Sequence, residues 1–312
     1  MAKFSRVKVV VRDESGTEEL LSDLGDLGFH SVSRCRDQES MASQLSDSLV
    51  DVLIYDYDTT AQELPEMLQK IRHSKSGQNP FVIVIAASTD TRMDTVRKLI
   101  DAGIDHILCK PFSMRTLASV LDSYTEARKP FVISYKYVGP TRRSARRDLE
   151  DGRGLTYVPN TLRSKVVQKI GDHELQRMMD VARVQLDDKQ LEARAAEIHA
   201  HAKKFMRSDV LDDRKIILHS IDELCQELKK HSEGRLPGQV SGLLKTLTFL
   251  IYEIQKTDDF FKEKHILLLE KISHAICRAV TVERNAAELI QEMVETMTRA
   301  GIGDENDPVV LR

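Results

Sequence analysis

Tryptophan is absent from this chain of 312 residues, and aromatic side chains make up only 5% of it. So sparse a supply argues against a stacking platform for single-stranded nucleic acid, which needs aromatic faces for successive bases. The four cysteines, Cys35, Cys109, Cys225 and Cys277, stand isolated. Without a CxxC pair, neither a zinc site nor a disulfide framework is indicated, and a reducing, cytoplasmic setting is expected. No apolar run reaches about 18 residues, so no transmembrane helix and no membrane partner are expected. The start, Met1-Ala2-Lys3-Phe4-Ser5-Arg6, lacks the apolar core of a secretory signal. An excess of one charge is missing too. Lys and Arg number 46 against 49 Asp and Glu, a formal net charge of −3, and bulk charge gives no argument for nucleic acid. No internal repeat of fixed period is found.

What is present is length enough for two domains, each able to bury a core of ordinary size. The first 127 residues alternate. Strand-like runs fall near 7–11, 30–34, 51–55, 81–87 and 105–109, with helical patterns near 16–27, 38–48, 61–73, 91–102 and 114–126. Leu20, Leu21, Leu24 and Leu27 keep helical spacing before Gly28 offers a stop. Alternating β and α predicts a parallel sheet with helices on both faces. Strands such as Val52-Leu53-Ile54-Tyr55 and Val82-Ile83-Val84-Ile85 are apolar at consecutive positions, as burial on both faces requires.

Each of these runs ends in a group that carries chemistry. The first ends in Arg12-Asp13-Glu14, the third in Asp56, the fourth in Ser88-Thr89, and the fifth in Lys110-Pro111-Phe112. In an open parallel α/β sheet, ligands sit outside the carboxyl ends of the strands. If the runs are neighbouring strands, all of these groups face one cleft. Any one of them is a weak signal, but the ordered set on five βα units is a specific one. It resembles the receiver domain of two-component response regulators over about residues 5–127.

The resemblance implies an α/β flavodoxin-like fold with a five-stranded parallel sheet. It implies Asp56 as phosphoacceptor, phosphorylated by a histidine kinase or a phosphotransfer protein. It implies Mg²⁺ held by Asp13, Glu14, Asp56 and the backbone carbonyl of Asp58. These are hard oxygen ligands of the kind Mg²⁺ prefers. Lys110 would then pair with a phosphoryl oxygen as a compact cation, and Ser88 would hydrogen-bond another. The sequence departs from the family pattern at several places. Thr59 and Thr60 stand where a hydrophobic-Pro pair is usual, and Asp58 adds an acid beside the site. Ser88 replaces the commoner Thr, and Ile107 stands where the switch aromatic would fall.

Residues 128–172 read as a connector rich in Gly, Pro and mixed charge. They include an extended stretch at Lys129–Ser134, and Arg142, Arg143, Arg146 and Arg147 neutralised locally by Asp148, Glu150 and Asp151. Within it, Tyr137-Val138-Gly139-Pro140-Thr141-Arg142-Arg143 and Pro159-Asn160-Thr161-Leu162-Arg163 resemble stretches that follow receivers in some bacterial response regulators. A short helix is expected at 161–169 after Asn160. From 173 to 300 the sequence is helical almost throughout, over 173–206, 211–232, 237–256 and 258–300. Apolar stripes run through Ile216, Ile217, Ile221, Leu224 and Leu228, and through Ile266, Leu269, Ile272, Ile276 and Val280. Short breaks between the helices suit an all-α bundle, with 301–312 as a tail.

His199 and His201 lie two apart on one helix and point to different faces, so with Glu197 they read as solvated groups and not as a metal site. His219 lacks the surroundings of a phosphotransfer histidine. No helix-turn-helix signature or basic recognition helix is present, nor the Gly-rich and catalytic motifs of cyclase or ATPase outputs. The chain is therefore expected to be a phosphorelay switch and not an enzyme. Its helical part would bind an unidentified protein target or a second copy of the chain as a homodimer. The competing readings are a receiver-like scaffold that never carries phosphate and, behind it, a DNA-binding transcriptional regulator.

Overall fold

The computed structural model describes residues 3–13, 18–60, 63–142, 155–232, 238–258 and 260–299. The chain divides into two compact units, 1–190 and 191–312. In the first, β1 (Lys8–Arg12), β2 (Ser31–Cys35), β3 (Val52–Asp56), β4 (Ile83–Ser88) and β5 (His106–Cys109) form one sheet in the order β2-β1-β3-β4-β5. All of its pairings are parallel. This is the flavodoxin-like order expected from five βα units.

The helices follow the strands: α1 (Glu18–Asp26), α2 (Gln38–Asp47), a single turn α3 (Tyr57–Thr60), α4 (Leu64–Arg72), α5 (Met93–Ala102) and α6 (Met114–Glu126). Successive strand residues point to opposite faces, and the two cores divide accordingly. Val9, Val11, Val52, Ile54, Ile83 and Ile85 pack against Leu24 of α1 and Leu117 and Leu121 of α6. Val10, Leu53, Tyr55, Val84 and Ala86 pack on the other face against Met41 of α2, Leu68 of α4 and Leu99 of α5. Every residue of β3 and β4 is buried, which is why both strands are apolar without alternation. Caps set the helix starts: Asp37 accepts from Ser40 N at 2.7 Å and Ser113 from Thr116 N at 3.2 Å, satisfying donors the helices leave open.

The segment expected as a connector lies within the first unit. Its strands β6 (Phe131–Ile133), β7 (Val138–Pro140) and β8 (Leu155–Thr156) make a small antiparallel sheet ordered β7-β6-β8, and α7 (Thr161–Val166) follows. The arginine-rich and acidic part, including Arg143, Arg146, Arg147, Asp148, Glu150 and Asp151, lies outside the described residues.

A buried ionic cluster docks this sheet. Asp105, just before β5, receives Arg72 Nη2 at 2.8 Å on Oδ2 and Arg128 Nη2 at 2.7 Å on Oδ1. Arg72 also donates to the carbonyls of Pro80, Val82 and Gly103. Burial lowers the affinity of this guanidinium for its proton, to a pKa of about 10, against the pull of Asp105. The ring of Phe131 lies 5.2 Å from the Arg72 guanidinium and 4.8 Å from that of Arg128, within cation–π range. Close backbone approach completes the contact. Gly103 ends α5 at φ +90, and a Cβ there would meet Val138 O at 2.8 Å. A Cβ on Gly139 would meet Gly103 Cα at 2.9 Å and the Tyr137 hydroxyl at 2.7 Å. The Tyr-Val-Gly-Pro stretch therefore has a packing role here: glycine is required where two backbones touch.

The first turns of α8 (Asp172–Arg207) belong to the first unit, where Leu175, Met179, Ala182 and Leu186 pack with Leu49, Phe81, Phe131 and Val138. The second unit is helical as expected, with the rest of α8, then α9 (Leu211–His231), α10 (Gly238–Thr257) and α11 (Glu263–Arg299). In α11 the stripe holds, with Leu269, Ile272, Ile276 and Val280 buried. In α9 it is shifted: Ile216 is 66% exposed, while Leu218 joins Ile221, Leu224 and Leu228 inside. The run of three apolar residues at 216–218 left the phase ambiguous by two positions. Among the described residues, no helix is long and apolar enough to cross a membrane.

Replacing Arg72 with Met should leave the Asp105 carboxylate with one partner fewer and take a donor from the carbonyls of Pro80, Val82 and Gly103. Breaking such a buried pair costs about 3–5 kcal/mol. Urea unfolding of Arg72→Met measures it, and a loss below about 1 kcal/mol, the scale of an exposed pair, would show that the cluster is dispensable.

Candidate functional site

The strand registers bring the predicted groups together. Arg12 pairs with Tyr55 across β1 and β3, so Asp13 and Asp56 come next, side by side, at the strand spacing of about 4.8 Å. Asp56 pairs with Ala87 of β4, and Ser88 pairs with Cys109 of β5. The next residue on each of those strands is Thr89 and Lys110. The amide of Lys110 donates to Ser88 O at 2.9 Å, which closes this end of the sheet. The cleft thus lies at the carboxyl ends of β1, β3, β4 and β5, where the strand order reverses between β1 and β3.

Asp13 is buried, with its backbone N–H on Cys35 O at 3.1 Å and its Oδ2 facing Arg34 Nη2 at 3.4 Å. Glu14, the second expected metal ligand, lies outside the described residues. Asp56 is 8% exposed. Its Oδ1 accepts from Lys110 Nζ at 2.6 Å and from the backbone N–H of Asp58 at 3.1 Å. Lys110 Nζ also lies 3.3 Å from Asp58 Oδ2. Burial alone would weaken its hold on the proton, but the hydrogen bonds and charges of Asp56 and Asp58 outweigh burial and raise its pKa.

The Asp58 side chain does more than the sequence indicated. It was expected to offer a backbone carbonyl and an extra negative charge. In the structure its carboxylate turns across the cleft. Oδ1 accepts from Ser88 Oγ at 2.8 Å and from Thr89 N at 2.9 Å, and Oδ2 lies 3.1 Å from Thr89 N. Burial pushes this carboxyl upward, but the donors from Ser88 and Thr89 and the Lys110 ammonium win and hold it below its ordinary value. Ser88 is wholly buried, and its Oγ also accepts from Asp90 N at 3.0 Å.

Sequence reasoning passed over a second layer. Arg12, fully buried at the end of β1, donates to Arg36 O at 2.8 Å and to Glu63 Oε2 at 3.0 Å, and Tyr55 OH reaches the same Glu63 oxygen at 3.5 Å. The signal was there in Arg12, a cation that is buried where it follows the apolar run Val9-Val10-Val11. Its partner at 63 lies too far along the chain for spacing to reveal it. Ile107, in the place of a switch aromatic, pairs with Ala86 and is half-buried against the core.

The histidines remarked on in the helices stand apart from this cleft's residues in the chain and have partners of their own. Among the described residues, no group of three or more His, Cys, Asp or Glu is arranged to hold a metal ion. His199 faces Ser273 Oγ at 3.2 Å and stacks on His274 at 5.0 Å between centroids, so it is partly packed inside the helical unit and not simply solvated. His201 Nδ1 lies 3.0 Å from Glu197 O. His219 is exposed beside Glu223 at 3.4 Å.

Taken together, the cleft presents three carboxylates, of Asp13, Asp56 and Asp58, one ammonium, one buried hydroxyl and one inward backbone N–H. The ammonium, hydroxyl and amide are donors of the kind that bind an anion, while the carboxylates of Asp13 and Asp56 face Arg34 and Lys110. No family model matches the chain, and no curated protein matches it. Among solved structures, the chain is similar to the chemotaxis protein CheY4 of Vibrio cholerae, crystallized at low pH (4.0), with 23% sequence identity over 38% of this chain and 97% of that chain, at a TM-score of 0.34.

Proposed function

We propose that the unit spanning 1–190 is a phosphoacceptor switch of the response-regulator type, and that Asp56 is its acceptor. One observation carries the reading: Asp56 ends the buried strand β3 in the cleft with Lys110 Nζ at 2.6 Å on its Oδ1. In the transfer, a carboxylate oxygen of Asp56 attacks phosphorus. The O–P bond to Asp56 forms as the P–N bond of a donor phosphohistidine breaks, and the departing imidazole leaves as the neutral ring, the proton on its other nitrogen having been held by the phosphohistidine throughout or taken from solvent. Lys110, released from the free carboxylate, neutralises phosphoryl oxygens, and Ser88 Oγ and the Thr89 N–H donate to them. Positioning and charge do the work in such a transfer.

Mg²⁺ is the cation this reading assigns to the cleft, because it prefers hard oxygen ligands. Asp13 and Asp56 offer hard carboxylate oxygens on adjacent strand ends, and the sum of nearby charge is negative. Arg34 stands 3.4 Å from Asp13 and Lys110 2.6 Å from Asp56, so a metal there would share these carboxylates with two side-chain cations. Bound there, the metal would neutralise charge on the transferred group. Asp13 and Asp56 are the residues that would hold it, with Glu14 and the Asp58 carbonyl as further candidates.

Donor and target are proteins in this reading: a histidine kinase or phosphotransfer protein upstream, and a protein partner or second copy for the helical unit downstream. A scaffold that never carries phosphate is the second reading. The Asp58 carboxylate among the phosphoryl donors is the observation that favours it.

With acetyl phosphate and Mg²⁺, the full chain should gain one phosphoryl group by intact mass, and Asp56→Asn should gain none. Labelling that persists in Asp56→Asn moves the acceptor elsewhere. Labelling should also stop in EDTA and weaken in Asp13→Ala as the Mg²⁺ concentration needed rises. Full-rate labelling in EDTA would rule out the metal. If the switch has an output, beryllofluoride should change the sedimentation of the full chain or the amide exchange of the helices from 191 onward. Differential stabilisation of two states is the only route by which a modification shifts an equilibrium. Identical mass and exchange with and without beryllofluoride would favour the scaffold.

A further inference from the structure

The donors that a phosphoryl group on Asp56 would use are already taken. Asp58 Oδ1 accepts from Ser88 Oγ at 2.8 Å and Thr89 N at 2.9 Å, and Asp58 Oδ2 lies 3.3 Å from Lys110 Nζ. Resting on the acceptor reading of Asp56, we propose that the Asp58 carboxylate is a built-in occupant of the phosphoryl subsite. It keeps Ser88, Thr89 and Lys110 engaged without phosphate, and it must be displaced before Asp56 can carry a phosphoryl group.

Local structure explains how Asp58 gets there. The single turn α3 begins at Tyr57, directly after β3 ends at Asp56. The chain doubles back at once, so the second residue beyond the acceptor faces the cleft again. The bond from Asp58 N to Asp56 Oδ1 at 3.1 Å pins that turn, and Thr59 Oγ1 to Asp56 O at 3.4 Å closes it. Thr59 and Thr60 stand in this turn, and neither carries the fixed φ that a proline would impose there.

Occupancy is exclusive on grounds of hydrogen count. A serine hydroxyl has one proton and a backbone amide has one. Ser88 is wholly buried and both of its roles are filled, with Asp58 accepting its proton and Asp90 N donating to its oxygen. A phosphoryl oxygen can take these protons only if Asp58 gives them up. Two anions also cannot both be neutralised by the single ammonium of Lys110, which Asp56 and Asp58 already share at 2.6 and 3.3 Å. The arrangement makes Asp58 a competitor tethered next to its rival. Binding of a phosphoryl mimic is then weakened by the fraction of molecules in which Asp58 has let go. Two consequences follow. The donors stand in their bound arrangement in the unphosphorylated chain, and the acceptor labels more slowly than its position alone would allow.

The test uses the full chain, with beryllofluoride and Mg²⁺ as the probe, in wild type, Asp58→Ala and Asp58→Asn. If Asp58 holds the donors in about nine molecules of ten, Asp58→Ala should bind beryllofluoride about tenfold tighter. Asp58→Asn keeps a carbonyl acceptor but loses the charge that pairs with Lys110, and should gain less; being nearly the same size, it also serves if the alanine variant folds poorly. Independently of any phosphoryl mimic, the Thr89 amide should exchange with solvent several times faster in Asp58→Ala than in wild type. Unchanged Thr89 exchange overturns the proposal whatever beryllofluoride does. Faster exchange with equal beryllofluoride affinity in all three forms overturns the competition and leaves the acceptor reading intact. Faster exchange with no beryllofluoride binding by any form overturns the acceptor reading and leaves the occupied subsite standing.

Discussion

Burial of the sheet on both faces is the constraint from which the site follows. Inside β3 and β4 every position is buried, and an unpaired polar group there would cost several kcal/mol, about 2–7 on transfer scales. Polar chemistry is therefore confined to strand ends, where loops bring partners. Asp13, Asp56, Ser88 and Lys110 all stand at such ends, and the parallel register places them on one edge. The opposite edge follows the same rule with a different result. There Asp51, fully buried before β3, takes Lys165 Nζ and the Lys8 amide, both at 2.8 Å, on the same Oδ2. Burial pushes the Asp51 carboxyl upward against the pull of Lys165. One end of the sheet thus spends its charges on holding α7, and the other leaves them facing a cleft.

The Asp105 cluster belongs to the structural end as well. Its carboxylate is forked between Arg72 and Arg128, and one of its oxygens also takes the Val84 amide at 2.9 Å. Charge-assisted bonds of this kind contribute roughly twice what neutral ones do. Desolvating two guanidiniums and a carboxylate offsets much of that gain. What such a cluster supplies beyond net stability is register: Phe131 lies within 5.2 Å of both guanidiniums, and a slide of the small sheet β7-β6-β8 would pull Arg128, which leads into β6, off the buried Asp105. The arrangement therefore treats 128–142 as part of the first unit and not as a tether.

Periodicity made the elements of both units legible. Strands that are apolar at every position, and helices with Leu at helical spacing, carry their burial in the sequence itself. The cleft was legible for the same reason, since its residues end those strands. The Arg12–Glu63 pair and the docking of Phe131 were not, because each depends on residues far apart in the chain meeting across the fold. The shift of the α9 stripe from Ile216 to Leu218 has a different origin. Three consecutive apolar residues satisfy two helical phases equally, and only packing chooses between them. The Asp58 side chain was legible as a charge but not as the acceptor of Ser88 and Thr89, because its direction is set by a one-turn helix too short to leave a periodic mark.

That last case shows why composition of a site is not its state. Asp13, Asp56, Ser88 and Lys110 specify what the cleft can hold, whereas the residue between them specifies what it holds when nothing else is bound. Hydrogen bonds to a charged group contribute roughly 1.5–3 kcal/mol each. Asp58 takes two donors outright and shares a third, and its carboxylate is about one quarter exposed, with a side-chain accessibility of 24%. Solvent therefore reduces the contribution of each bond, and in the proposed switch a dianionic phosphoryl group, with more charge and more acceptor oxygens than a carboxylate, is the anion that would displace it. Asp58 thus keeps the buried hydroxyl of Ser88 satisfied through bonds that solvent has already weakened.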